Sequence, residues 1–167
     1  MAQRPAKTHA PSAVHKAERR VVATNRKAKF DYHIGESFEA GIVLVGPEVK
    51  GLRGGSSSIA EAFARFDKGE LWLVGMHIPE YFEATYNNHE TKRKRKLLLK
   101  KAQLKRLEKS LAVKGTTLVP LEIYFNERGI AKLKLAVGHG KQVHDKRQDI
   151  KKREHDREMR RFTRRGS

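Results

Sequence analysis

The sequence predicts a mainly β fold with flanking helices. Three observations carry this. Val119, Leu121, Ile123 and Phe125 alternate with Pro120, Glu122 and Tyr124, Asn126 to Gly129 turns the chain, and Ala131, Leu133, Leu135 and Val137 then alternate with Lys132 and Lys134. That is the pattern of a half-buried hairpin. Ala40 to Val45 is an apolar run stopped by Gly46 and Pro47. Asp67-Lys68-Gly69 is a hairpin turn ahead of Leu71 to Ile78, a run rich in Trp, Val and Leu. The chain has 167 residues, enough for one domain with a modest core.

Taken in order, residues 1–21 hold Pro5, Pro11 and scattered Lys, Arg and His without apolar periodicity, and read as a flexible basic arm. Residues 22–138 form the folded domain. Asn25 to Lys29 precedes a short strand at about Phe30 to Ile34. In the next strand Phe38, Ala40, Ile42 and Leu44 share one face, Val43 and Val45 the other. Both faces are apolar, so this strand is expected to be covered on two sides. Glu48 to Arg53 reads as a short helix or bend ended by Gly54 and Gly55.

Residues 56–66 are ambiguous. Ile59, Ala62, Phe63 and Phe66 have helical spacing, yet the turn at Asp67-Lys68-Gly69 favours a hairpin. Trp72 lies within an apolar run and is expected in the core. Tyr81 to Glu90 is a polar loop with Tyr86, Asn87, Asn88 and His89.

A helix is expected at about 95–113, stopped by Gly115, with Leu97, Leu104, Leu107 and Leu111 as its apolar stripe. Pro120 in the following strand implies an edge position or a bulge. The outer side of the final hairpin, with Tyr124, Lys132 and Lys134, is wet or meets a partner. Gly138 and Gly140 free the chain from its last strand. Residues 139–167 are mostly charge and lack a core-forming stripe, so the tail is expected to be disordered in isolation. Asp149 with Arg153 and Glu154 with Arg157 have spacings that support a helix once a polyanion neutralises the excess charge.

Lys plus Arg number 37 against 19 Asp plus Glu, a formal charge of +18. Ten of these basic residues fall between Lys92 and Lys109, and others cluster in the arm and tail. Clustered charge of this size is kept for a polyanionic partner. Membrane binding fits poorly, because the basic stretches lack a wide apolar face. With no Cys there are no disulfides and no thiolate metal sites. The eight His are scattered, and no metal or cofactor is expected. Ser56 to Ser58 have no evident base partner. Gly46 and Gly51 fit the start of a phosphate loop, but Leu52 and Arg53 stand where Lys and Ser or Thr are required. No signal peptide or membrane-length apolar run is visible, and a cytoplasmic protein is the default. Hairpins of short strands with helices in the gaps suit a small closed barrel of the oligonucleotide-binding kind. Composition does not choose among transfer-messenger RNA, ribosomal RNA and single-stranded DNA.

Four separated stretches narrow the choice: FEAGIVL at Phe38 to Leu44, EVKGLR at Glu48 to Arg53, KLLL at Lys96 to Leu99, and HDKRQDIKKRE at His144 to Glu154. In order and spacing they resemble the SsrA-binding protein family, also called small protein B. The resemblance covers roughly Asn25 to Glu154. It implies a six-stranded antiparallel OB-like barrel with two to three helices, and so a hairpin of strands 58–66 and 70–78. It implies an RNA-binding protein, not an enzyme, that takes the tRNA-like domain of transfer-messenger RNA to stalled ribosomes. Asn25, Glu39, Leu99 and Lys100 correspond to the family's RNA face. Local basicity adds Arg26, Lys27, Lys96, Lys132 and Lys134.

The tail is implied to fold in the decoding site and empty mRNA channel. There it would use Gly140, Lys141, His144, Asp145, Lys146, Arg147, Asp149, Ile150, Lys151 and Arg153. His144 can stack on a base of rRNA. The elongation-factor complex carrying alanyl-tmRNA is a further implied partner. The chain departs from the family at Phe30, where many members carry His, at Lys100, where many carry Asn, at Gln142-Val143 and at His155. Two other classes remain: a generic ribosome-associated RNA-binding barrel or RNA chaperone, and a nuclease or RNA-modifying enzyme.

Overall fold

A computed structural model describes residues 19–83 and 88–165, with only the backbone for 162–165. Residues 1–18 of the expected arm, and Tyr86 and Asn87, lie outside the described residues.

Seven strands and four helices follow in the order β1 (Arg20–Thr24), α1 (Ala28–Asp31), β2 (Tyr32–Ile42), α2 (Gly46–Arg53), β3 (Phe63–Asp67), β4 (Glu70–Val74), β5 (Arg95–Leu98), α3 (Lys101–Leu111), β6 (Thr116–Phe125), β7 (Ala131–Gly140) and α4 (Val143–Arg165). All pairings are antiparallel. β6, β3, β4, β5, β2 and β7 are hydrogen-bonded in that order, and β7 pairs back to β6. Six strands therefore close a ring, as expected, and β1 adds a seventh along β6. Closure removes the unpaired edges that would otherwise invite further strands.

The interior is mainly apolar. Phe38 and Ala40 of β2, Leu71 and Leu73 of β4, Leu97 of β5, Leu118 and Ile123 of β6, and Leu133 and Leu135 of β7 are buried together. Leu52 from α2 and Leu107 from α3 plug the structure, each fully buried. Burial of such side chains is worth roughly 1.5–3 kcal/mol each, the main force holding the ring closed.

β3 and β4 form the hairpin expected over 58–66 and 70–78, in shorter strands. Lys68 (φ 50°) and Gly69 (φ 78°) make the two-residue turn, the left-handed pair that matches strand twist. The register shifts between Pro120 and Glu122, so the bulge that Pro120 signalled is present. Its effect went unread in the alternation. Before the bulge Leu118 faces the core, and after it Ile123 and Phe125 do.

Four expectations about these elements need correcting. Phe30 and Asp31 belong to α1 rather than to a strand. The second face of β2 is not covered: Val43 and Val45, just past its end, are about two-fifths exposed. The helix expected at about 95–113 is a strand, β5, followed by α3 from Lys101. Arg95 and Leu97 point inward and Lys96 and Leu98 outward, and β5 pairs with both β4 and β2. A vacant place in the ring overrides helix propensity there. β7 runs on through Gly138, where a Cβ would lie 3.1 Å from a Val119 methyl and 3.2 Å from Tyr32 Cβ. That glycine admits close packing instead of ending the strand. Past Gly140 the chain runs as α4, and β1 starts at Arg20, inside the stretch assigned to the arm.

Candidate RNA-binding face

Glu39 stands on the outer side of β2, because its neighbours Phe38 and Ala40 are turned into the core. β7 lies beside it, with Glu39 opposite Lys134 and Gly41 opposite Lys132. β6 lies beyond, with Tyr124 opposite Lys132 and Glu122 opposite Lys134. Three strands thus bring Glu39, Lys132, Lys134 and Tyr124 into one outer patch. The Tyr124 hydroxyl donates to Glu39 Oε2, and Lys132 Nζ is 3.4 Å from Oε1.

The Tyr124 hydrogen bond and the Lys132 ammonium hold the Glu39 carboxyl below its ordinary range, against a smaller opposing effect of burial. Burial, with the Glu39 carboxylate, pushes the Tyr124 phenol up to about 12. At neutral pH the pair is therefore carboxylate acceptor and phenol donor. Tyr124 was expected to be wet or in contact with a partner. It is buried instead, beneath Arg19, whose guanidinium sits 3.9 Å from the ring centroid and pairs with Glu122 at 2.8 Å. Sequence reasoning missed Arg19 because nothing distinguishes it from the other basic residues near the N-terminus.

Leu98 adjoins this patch. It is opposite Gly41 and about half exposed, whereas Leu99, the leucine expected at the face, packs against the core. Lys100 is exposed and precedes α3, its backbone N–H donating to Gln103 Oε1 at 3.1 Å. Lys96 stands apart from Glu39. It pairs with Glu70 and lies opposite Trp72. Trp72 is itself on the outer side of β4, between Arg65 and Lys96, and not in the core as expected. Leu71 and Leu73 take the two inward places on that strand, which leaves Trp72 the outward one.

Asn25 is 4% exposed. Its amide oxygen accepts from the Ala28 N–H at 3.0 Å, and its amide nitrogen donates to the Ile59 carbonyl at 3.3 Å. Both polar ends are committed to the fold, so Asn25 fixes α1 against the segment before β3. Arg26 and Lys27, next in the chain, are exposed. An open groove of about 400 Å³ runs past Asn25, Lys27, Asp31, Tyr32 and Phe63.

The tail residues begin beside α1. Gly140 ends β7, and Lys141 pairs with Asp149 at 2.6 Å. That ion pair, with its hydrogen bond first, holds the Asp149 carboxyl below its ordinary range. Lys146 pairs with Asp31 at 2.8 Å, Asp145 approaches His33 at 3.4 Å, and Arg153 lies over Phe30. His144, Arg147, Ile150 and Lys151 are exposed.

A separate ion cluster braces the fold. Glu48 and Arg95 are fully buried and 2.9 Å apart, and Arg93 joins Glu48 at 2.5 Å. Burial alone would raise the Glu48 carboxyl, but the Arg93 hydrogen bond, the Val45 N–H and the two guanidinium charges together hold it below its ordinary range. Arg95 also donates to the carbonyls of Met76, Arg93 and Thr91. Among the described residues no group of three or more His, Asp or Glu could hold a metal ion, and no helix is long and apolar enough to cross a membrane.

The sequence profile of the family described as SmpB protein matches residues 22–165. An SsrA-binding protein of Sinorhizobium medicae (strain WSM419) is 49% identical over 153 residues, which is 92% of this chain and 96% of the relative. One from Bartonella henselae is 51% identical over 147 residues, 88% of this chain and 93% of the relative. A solved chain reported under "tmRNA-SmpB: a journey to the center of the bacterial ribosome" is 50% identical, covers 74% of this chain and 86% of its own, and superposes with a TM-score of 0.63. A protein with this ring of strands, this outer patch and these relatives along nearly its whole length belongs to the SmpB protein family.

Proposed function

We propose that this protein binds the tRNA-like domain of transfer-messenger RNA and brings it to stalled ribosomes for trans-translation. The observation that carries this reading is the half-identity to SsrA-binding proteins across nine-tenths of the chain. The net charge of +18 supplies the attraction. Charge draws in any RNA, so the choice of partner falls to placed groups. Glu39 is suited to that role, since its second oxygen can accept from a base amine while Tyr124 and Lys132 hold the carboxylate in place. Lys132, Lys134, Arg26 and Lys27 meet phosphates, and Leu98 gives the face an apolar rim, with Leu99 packed behind it. Asn25 acts through the turn that presents Arg26 and Lys27.

The tail, from Gly140 onward, enters the decoding site and the empty mRNA channel as a helix. Lys146, Arg147, Lys151 and Arg153 answer rRNA phosphates there, and His144 stacks on a base. The elongation-factor complex carrying alanyl-tmRNA accompanies the RNA. The protein works in the cytoplasm and supplies position rather than chemistry, since peptide transfer belongs to the ribosome.

Competition binding tests the reading. A labelled tRNA-like domain should stay bound when ordinary tRNA is added in excess. Equal displacement by tRNA would favour a generic RNA chaperone, and shortening of the labelled RNA in the presence of magnesium would favour a nuclease.

A further inference from the structure

The outer side of β3, β4 and β5 is built differently from the Glu39 patch. Arg65, Trp72 and Lys96 lie opposite one another across these three strands. The row continues just past β2, where the Val43 N–H donates to the Lys96 carbonyl at 3.0 Å. Val43 is 43% exposed, and Phe63, opposite Val74 in the next row, is 42% exposed. Arg65 and Lys94 are exposed, and Lys96 keeps 38% of its side chain in solvent while it pairs with Glu70. α1 packs on β2 and β6, and α3 on β6 and β7, so neither covers this side. The Trp72 indole is therefore part-exposed between a guanidinium and an ammonium. Among the described residues its N–H meets no acceptor, and Arg65 meets no carboxylate.

We propose that this row is a binding site for unpaired nucleotides. Trp72 is the ring on which a base stacks, and Arg65 and Lys96 answer the phosphates on either side of it. Neighbouring strands lie about 4.8 Å apart, so the two cations stand on strands roughly 10 Å apart with the indole between them. Every base has a π-face, so an indole placed this way accepts bases of any sequence while the cations hold the strand. The unbonded N–H adds a donor for a sugar or base oxygen. Val43 along the row and Phe63 in the next extend the apolar surface under a bound strand. Other occupants fit less well. An added β-strand needs an open edge, and this ring is closed. A second copy of the chain would bring its own charge of +18 against the same cations. A duplex keeps its bases stacked on one another and offers none to the indole. The site goes beyond the proposed function, because it asks only for exposed bases, whichever RNA supplies them.

Trp72 is the chain's one tryptophan, so indole emission reports on this site alone. A short oligoadenylate titrated into the full chain at physiological salt should quench that emission. Polyphosphate, which carries charge and no bases, should bind and leave it bright. Trp72→Leu should weaken oligoadenylate binding about tenfold, read by anisotropy of a labelled strand, and Trp72→Phe should restore most of the loss. Arg65→Gln should lower the slope of log affinity against log salt by about 0.7, the share of one phosphate on a single strand. Circular dichroism checks that each variant keeps the ring. Should Trp72→Leu fail to fold, the contrast between oligoadenylate and polyphosphate decides. Oligoadenylate that binds without quenching, or equal quenching by polyphosphate, would overturn the site. So would an unchanged affinity in folded Trp72→Leu, or a Trp72→Phe as weak as the leucine variant. The indole signal does not depend on the tRNA-like domain, so equal exchange of that domain with tRNA would count against the proposed function alone.

Discussion

Glu39 and Tyr124 share one proton's worth of chemistry, and each explains the other's unusual acidity. Tyr124 should titrate near 12 rather than near 10, which ultraviolet phenolate absorbance will follow. A raised phenol stabilises the fold fully below pH 10, and that contribution is lost as pH climbs toward 12. Glu39 runs the other way. Its folded carboxyl is depressed below 4.5, so its contribution is present above that value and lost as pH falls through the folded pKa. Glu39→Ala should weaken RNA binding while circular dichroism stays native; loss of the native spectrum would make the residue structural. Glu48 presents the opposite case. Glu48→Ala leaves Arg95 buried without its counter-charge, and should cost about 3–5 kcal/mol in urea unfolding. A loss under 1 kcal/mol would mean that the Met76, Arg93 and Thr91 carbonyls suffice. Sequence alone could not separate these two glutamates. Each sits in a run of apolar neighbours, and only the strand and helix around them decide which faces water. Asn25 was likewise readable as a special residue but not as a buried one, since its partners Ala28 and Ile59 are joined by folding and not by spacing.

Local rules reached some elements and not others. The turn at Lys68-Gly69 and the bulge at Pro120 were legible because each rests on backbone chemistry of one or two residues. β5 was not. Four residues, Arg95 to Leu98, adjoin a strong helix-former, and only the unpaired edges of β4 and β2 make them a strand. Trp72 failed for a related reason: its run is apolar throughout, and which parity faces inward is set by the pairing with β3 and β5. α2 depends on one close approach. A Cβ on Gly51 would stand 2.6 Å from the Pro79 carbonyl oxygen, which is backbone and cannot step aside cheaply. Gly51→Ala, ordinarily favourable in a helix, should instead destabilise by about 2 kcal/mol, seen as a lower urea midpoint at unchanged m. An unchanged or higher midpoint would show that α2 can slide.

For the molecule as a whole, the closed ring and the charge divide the work. The ring fixes an outer patch from β2 and the β6–β7 hairpin, which lie far apart in sequence, and on the proposed function the excess of cations draws RNA to it. RNA affinity should fall steeply with salt, linearly on logarithmic axes, through counterion release; a flat response would defeat the electrostatic part. Because β7 extends to Gly140, a chain ended there keeps every strand. It should retain most of its affinity for the tRNA-like domain and lose ribosome rescue. The closed ring of strands was legible from alternation and turns, and the excess of positive charge from composition, whereas the proposed partner came from four ordered motifs. The most direct measurement is therefore competition between the tRNA-like domain of transfer-messenger RNA and ordinary tRNA on the wild-type chain at physiological salt. Retention of the former under an excess of the latter is the predicted result; equal exchange of the two would contradict it.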